Sequence, residues 1–165
     1  MKALILAGGM GKRLRPLTDD KPKPMIFISN KPILEWQIMW LKSHNIREVI
    51  LCTGYMSENI TEYFGDGEKF GVSIEYSKEE EPLGTGGALM QSEPFLKEHS
   101  NFIVMNGDIM SNIDPNSLIL NLTDGLIGTI AVVALRSPFG EIEIKDIPRV
   151  KKLVAPHLVN SWNTI

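Results

Sequence analysis

Residues 2–23 constrain this chain more than any other stretch. Lys2–Ala7 reads KALILA, with Leu4, Ile5 and Leu6 in a row and no polar alternation. That is the pattern of a strand buried on both faces in a parallel sheet. Gly8, Gly9 and Gly11 follow directly, so the chain can turn sharply and bring its N–H groups close to a ligand. Lys12, Arg13, Arg15, Lys21 and Lys23 then place five cations within a dozen residues. Prolines 16, 22 and 24 make the segment an extended loop rather than a helix. Open backbone donors beside clustered cations suit a polyanion, most simply a polyphosphate.

The remaining chain alternates strand-like with helix-like stretches, which predicts an α/β fold with a mainly parallel sheet flanked by helices. Pro32–His44 reads as a helix, with Leu34, Ile38 and Leu41 at i, i+4 and i+7. Trp36, Met39 and Trp40 make it apolar on nearly every side, so it is deeply buried or forms a subunit contact, here a homo-oligomer. Glu48–Thr53 is a second buried strand, ended by Gly54. Ser57 is placed to cap a helix that runs to Phe64 and stops at Gly65. Val72–Tyr76 alternates as a half-exposed strand does, and Phe102–Met105 reads as a buried one. Asp114-Pro115 opens a helix to about Leu122, and Thr129–Leu135 fits a central strand.

Two phosphate loops can be tested against the opening. The pattern GxxxxGK[S/T] needs glycine at position 6 and a hydroxyl at 13, where Leu6 and Arg13 stand. The dinucleotide pattern GxGxxG starts at Gly9 and Gly11 but meets leucine at 14, which disfavours a nicotinamide dehydrogenase. The whole string, LAGGMGKRLRPLTDDKPKPM, instead resembles the N-terminal signature of the sugar-1-phosphate nucleotidylyltransferases, GGxGxRLxPLTxxxPKPM. The resemblance implies a Rossmann-like nucleotide-diphospho-sugar transferase fold and the reaction NTP + sugar 1-phosphate → NDP-sugar + pyrophosphate. It implies that Gly8, Gly9, Gly11 and Lys12 approach the nucleotide, that Arg13 holds the departing pyrophosphate, and that Lys23 contacts the reacting phosphates.

Three later stretches add chemistry. Glu79–Leu89 reads EEEPLGTGGAL; its glycines let the chain pass close to a flat ligand, and Thr85 is placed to cap a helix beginning near Gly86. An acidic surface loop before a glycine-rich helix would look the same. In the family such a loop cradles base and ribose. The resemblance there is to guanylyltransferases acting on mannose 1-phosphate or related sugars, so Gly84 and Thr85 would line the nucleotide and Glu79 would sit near the base edge. GTP is thereby favoured, with dTTP or UTP as alternatives. Asn106-Gly107-Asp108 follows the strand Phe102–Met105, and is either an Asn-Gly hairpin turn or a carboxylate at the carboxyl end of a parallel strand, where α/β sheets bind ligands. The resemblance implies the second, with Asp108 binding Mg²⁺. Ser137-Pro138-Phe139-Gly140 is similar to a family segment whose glycine meets the sugar, which implies Gly140 there.

Composition narrows the remainder. A length of 165 residues is one domain by the usual prior, and a net charge of −3 gives no support for nucleic-acid binding. Cys52 is the only cysteine, in an apolar run that makes it a buried strand thiol; the three histidines have no metal-ligand spacing. No apolar run approaches membrane-spanning length and no leader is visible, so the cytoplasm is expected. The resemblance is strong over about 1–145. Beyond it, Leu153-Val154-Ala155-Pro156 keeps the proline of a family Glu-Lys-Pro motif without its charges, and a later family aspartate has no counterpart. Three classes follow: the nucleotidylyltransferase, a catalytically impaired nucleotide-sugar-binding or regulatory subunit, and a phosphocholine-type cytidylyltransferase.

Overall fold

The computed structural model describes residues 1–136, 141–146, 149–154 and 158–164, with side chains through residue 134. The chain divides into two compact units, Met1–Ile119 and Leu120–Ile165.

The first unit opens with β1 (Lys2–Leu6) and continues through two 3-10 turns, Lys12–Leu14 and Lys23–Met25. A small hairpin, β2 (Phe27–Ile28) and β3 (Lys31–Pro32), leads into α1 (Ile33–Ser43). Then come β4 (Glu48–Thr53), α2 (Ser57–Phe64), β5 (Ser73–Lys78), α3 (Gly84–Gln91), α4 (Glu93–Leu96), β6 (Phe102–Asn106) and α5 (Pro115–Leu120). Four strands form one parallel sheet in the order β5-β4-β1-β6. The expected α/β architecture is present.

β1 lies inside the sheet, and its Ala3, Leu4 and Ile5 are fully buried, which is why its sequence does not alternate. On one face, Ala3, Ile5, Val49 and Leu51 pack with Leu34, Ile38 and Leu41 of α1 and Ile60 and Phe64 of α2. On the other, Leu4, Ile50 and Cys52 meet Ala88 of α3 and Leu96 of α4. Truncating one such side chain to alanine typically costs about 2–5 kcal/mol. Cys52 is the buried strand thiol expected; burial pushes its thiol up, and its Sγ lies 3.2 Å from Ser92 Oγ.

Several expectations shift. The sequence of β6 reads as a buried strand, yet Phe102 is 38% and Val104 41% exposed. The reason is position: β6 is an edge strand among the described residues, and Val104, level with Leu4, lies beyond the cluster that α3 and α4 form. Ser57 does not cap α2. Met56 holds the cap position at φ 48°, and Ser57 is the first helical residue; Gly65 does end the helix, its N–H donating to Thr61 O at 2.9 Å. Asp114 does begin α5, its Oδ1 accepting the Asn116 N–H at 2.9 Å.

Helix α1 is apolar on the sheet side as expected, while Met39 is 42% exposed. Two buried polar residues, Glu35 and Gln37, interrupt that side. Glu35 accepts hydrogen bonds from Lys31 Nζ and, at 2.6 Å, from Tyr63 Oη. Burial pushes the Glu35 carboxyl up, but those bonds and the Lys31 charge outweigh it and hold the group below its ordinary value; Tyr63 is pushed up to about 12 by the same hydrogen bond.

In the second unit, β7 (Val132–Arg136) pairs antiparallel with β10 (Leu158–Thr164), and β8 (Glu141–Asp146) with β9 (Arg149–Val154). The stretch read as a central strand is therefore part of a two-stranded antiparallel ribbon, with Val132 48% and Val133 43% exposed. Its apolar run lacks a parallel neighbour on either side among the described residues. Gly140 lies outside the described residues.

Candidate active site

The loops that follow β1, β4 and β6 meet at the carboxyl ends of their strands. Ala7 N–H donates to Cys52 O at 2.8 Å, Tyr55 N–H to Gly8 O at 3.2 Å, and Gly107 N–H to Leu6 O at 2.8 Å. Asn106-Gly107 is thus not a hairpin turn, because the strand before it pairs in parallel with β1. Gly8 and Gly54 approach backbone to backbone: a Cβ on Gly54 would lie 3.1 Å from Gly8 O and 3.3 Å from Gly8 Cα. Only glycine fits that crossing without moving a strand end. At Gly11 the chain takes φ 61°, and buried Thr18 holds the turn from below, its Oγ1 donating to Gly11 O at 3.1 Å.

Between these loops lies a cleft of about 660 Å³ bordered by Gly9, Gly11, Lys12, Arg13, Lys23 and Asp108, among others. Lys23 and Asp108, 85 residues apart, pair across it with Nζ 2.5 Å from Oδ2. The 3-10 turn that carries Lys23 is anchored by buried Pro24 and Met25, so the lysine is fixed at its root. Lys12 and Arg13 are exposed and make no ion pair among the described residues. The other two loop cations face elsewhere: Arg15 pairs with Asp19 and Lys21 with Asp20, each at 3.3 Å.

Gly8 borders a second, smaller pocket of about 160 Å³, with Gly54, Tyr55, Glu79, Glu80 and Glu81 around it. Glu79 is fixed at both ends, its N–H donating to Thr53 O at 2.7 Å and its Oε2 accepting the Leu83 N–H at 3.1 Å. Gly84, at φ +69°, and Thr85 line neither of these two pockets. Thr85 does not cap α3 either, because the helix starts one residue earlier, at Gly84, and the hydroxyl falls inside the first turn. Gly8, Gly9, Gly11, Lys12, Arg13, Lys23, Asp108 and Glu79 are all brought to one end of the sheet.

Among the described residues, Asp108 is the one carboxylate bordering the larger cleft, and no group of three or more His, Cys, Asp or Glu forms. A single carboxylate completed by phosphate oxygens and water is an ordinary Mg²⁺ arrangement, so the donor set fits that ion in company with a polyphosphate. The sequence reading missed Thr18, Gln37 and the role of Gly54. Gln37 sits in an apolar helix, and its partners lie 69 and 72 residues away, so nothing local marks it.

The family model for nucleotidyl transferases matches residues 2–155. The D-glycero-alpha-D-manno-heptose 1-phosphate guanylyltransferase of Campylobacter jejuni is 48% identical over 121 residues, 73% of this chain and 53% of its own length. The mannose-1-phosphate guanyltransferase of Gibberella zeae is 39% identical over 141 residues, 84% of this chain and 39% of its own. The chain thus spans about half the length, or less, of these relatives. Among solved structures, HddC from Yersinia pseudotuberculosis, crystallised with GMP-PN, superposes with a TM-score of 0.69 at 29% identity over 97% of this chain and 73% of that one. The matched family model and the named relatives agree with the opening glycine-and-cation string: the chain belongs to the sugar-1-phosphate nucleotidylyltransferase family of nucleotidyl transferases.

Proposed function

We propose that this chain is the nucleotide-holding part of a guanylyltransferase that joins GTP to a manno-configured sugar 1-phosphate, mannose 1-phosphate or a manno-heptose 1-phosphate, and releases pyrophosphate. One observation carries the reading: Lys12 and Arg13, without an ion pair among the described residues, share a cleft with the open glycine backbone and the Lys23–Asp108 pair, at the carboxyl ends of parallel strands. In the reaction a sugar-phosphate oxygen bonds to the α-phosphorus of the nucleotide, and the bond from that phosphorus to the pyrophosphate oxygen breaks. Negative charge grows on the leaving pyrophosphate, where Arg13 and Lys12 meet it; fixed charges aimed at developing charge are a large source of rate. Lys23 reaches the α-phosphate from the cleft wall. Asp108 would hold Mg²⁺, which when bound neutralises phosphate charge.

The base fits the other pocket. Guanine offers two kinds of N–H donor on its pairing edge where uracil and thymine offer one, and the Glu79–Glu81 carboxylates are acceptors. The relatives described above are named for guanylyl transfer to sugar 1-phosphates, which supports GTP over dTTP or UTP and disfavours the phosphocholine alternative. The test is calorimetry with each NTP, with and without Mg²⁺, followed by pyrophosphate release with mannose 1-phosphate and D-glycero-alpha-D-manno-heptose 1-phosphate. GTP with Mg²⁺ should bind best and give the fastest release. A chain that binds no NTP under either condition sinks the proposal.

A further inference from the structure

We infer that Gln37 is a positioning residue that holds Asp108 at the cleft, an assignment that rests on the metal-nucleotide reading above. Gln37 projects from the middle of α1 and is 2% exposed. Its Nε2 donates to Asn106 O at 2.8 Å and to Ile109 O at 2.6 Å. Those two carbonyls bracket Gly107-Asp108: one closes β6, the other follows the aspartate. A primary amide carries two hydrogens on one neutral atom, so a single side chain clamps both ends of the turn. The turn's own closing bond, Ile109 N–H to Asn106 O, is long at 3.4 Å and would hold the geometry poorly alone.

The other sides of the turn are fixed as well. Gly107 N–H donates to Leu6 O, and a Cβ on Gly107 would lie 2.9 Å from Leu6 O and 3.2 Å from Pro24 Cγ. The turn is therefore wedged between β1 and the loop that carries Lys23, and Gln37 closes the side facing α1. The amide orientation is not arbitrary, because the reverse would set Oε1 against two carbonyl oxygens. In the orientation present, Oε1 is buried with no hydrogen-bond partner among the described residues. Around it the helix face is aliphatic, with Leu34, Ile38 and Leu41 fully buried. A side chain chosen for packing alone would be apolar here; the amide gives up one satisfied atom to secure two carbonyls beside Asp108. Partners that orient a metal-binding carboxylate act on metal affinity without touching the metal.

The test uses the full chain and Mg²⁺ titrations of GTP binding, with Asp108→Asn as the benchmark. Gln37→Met keeps the length and removes both donors. The Mg²⁺ concentration for half-maximal GTP binding should rise about tenfold or more, in the range typical of lost outer partners. GTP binding without Mg²⁺ should change by less than about twofold, and amide exchange over residues 106–109 should quicken. Gln37→Glu differs by one atom, keeps at most one donor, and should show the same metal-specific defect; it carries the test if the methionine variant does not fold. A wild-type Mg²⁺ requirement in both variants overturns the role of Gln37 and leaves the functional reading intact. An equal loss of Mg²⁺-free and Mg²⁺-dependent binding also overturns it, since that is what general loosening would produce. If the unaltered chain binds no GTP at any Mg²⁺ concentration, the functional reading fails and the role of Gln37 falls with it.

Discussion

Adjacent residues border two pockets of opposite character. Gly9 faces the larger cleft, where Lys12, Arg13 and Lys23 outnumber one carboxylate; Gly8 faces the smaller one, where Glu79, Glu80 and Glu81 are the charged groups. A phosphate is attracted to the first and repelled from the second, while N–H donors of a base meet more carboxylate acceptors in the second. On the proposed reading, a nucleotide would lie across the glycine loop with its phosphates toward the larger cleft and its base toward the smaller pocket. Direction here comes from charge placed on either side of one stretch of bare backbone, with shape in a secondary part.

The largest expected effect attacks the cationic side. On the proposed reading, Arg13→Ala removes a donor to leaving-group charge, worth about 3–4 kcal/mol in comparable sites, so pyrophosphate release should fall by roughly a hundredfold or more. Binding of guanosine alone should be unchanged; if guanosine binding falls equally, the two pockets are not separate in function. Next comes the glycine crossing at the smaller pocket. Gly54→Ala drives a Cβ into Gly8 O at 3.1 Å, and overpacking of this kind costs about 1–3 kcal/mol. Its melting temperature should drop by several degrees, and GTP and tripolyphosphate binding should weaken together. Glu79→Gln should separate the sides in the other sense, weakening GTP by about tenfold, or ~1.4 kcal/mol, while leaving tripolyphosphate untouched. Equal losses for both ligands would remove Glu79 from the base side.

The smallest effect is a control away from both pockets. Glu35 has its pKa lowered on folding, so its contribution is present above its ordinary value of 4.5 and is lost as pH falls through the folded value. Tyr63 has its pKa raised from 10.0 to about 12, so its contribution is present below the ordinary value and is lost as pH rises through the folded one. Chemical denaturation from pH 3 to 7 should show wild type and Glu35→Gln converging toward the acid end. A stability gap that stays constant with pH would mean the pair does not titrate as described.

The parts legible in the sequence are those whose cause is local. The buried run of β1, the helix periodicity of α1 and the glycine-cation string are each visible in a window of under twenty residues. What was missed depends on neighbours far along the chain. Phe102 and Val104 read as core because they are apolar, but burial is decided by what covers the strand, and β6 stands at an edge among the described residues. Residues 129–135 have the composition of a central strand, yet the strand formed there, Val132–Arg136, is an antiparallel partner of β10 instead. Asp108 could be named from its motif, yet its pairing with Lys23 and its brace from Gln37 span 85 and about 70 residues. The β2–β3 hairpin had a local signal that passed unused: Ser29-Asn30, both at positive φ, form the two-residue turn such hairpins favour.

The contact between Gly8 and Gly54 has one more consequence. With no side chain at either position, there is nothing to swing aside, and the hydrogen bonds from Tyr55 and Ala7 tie the crossing to the sheet. The glycine loop beside the smaller pocket is thereby held to the sheet at Gly8. On the proposed reading, a nucleotide that reaches both pockets is a bivalent ligand, its second end held at high effective concentration once the first is seated. Intact GTP should then bind far more tightly than guanosine and tripolyphosphate supplied together.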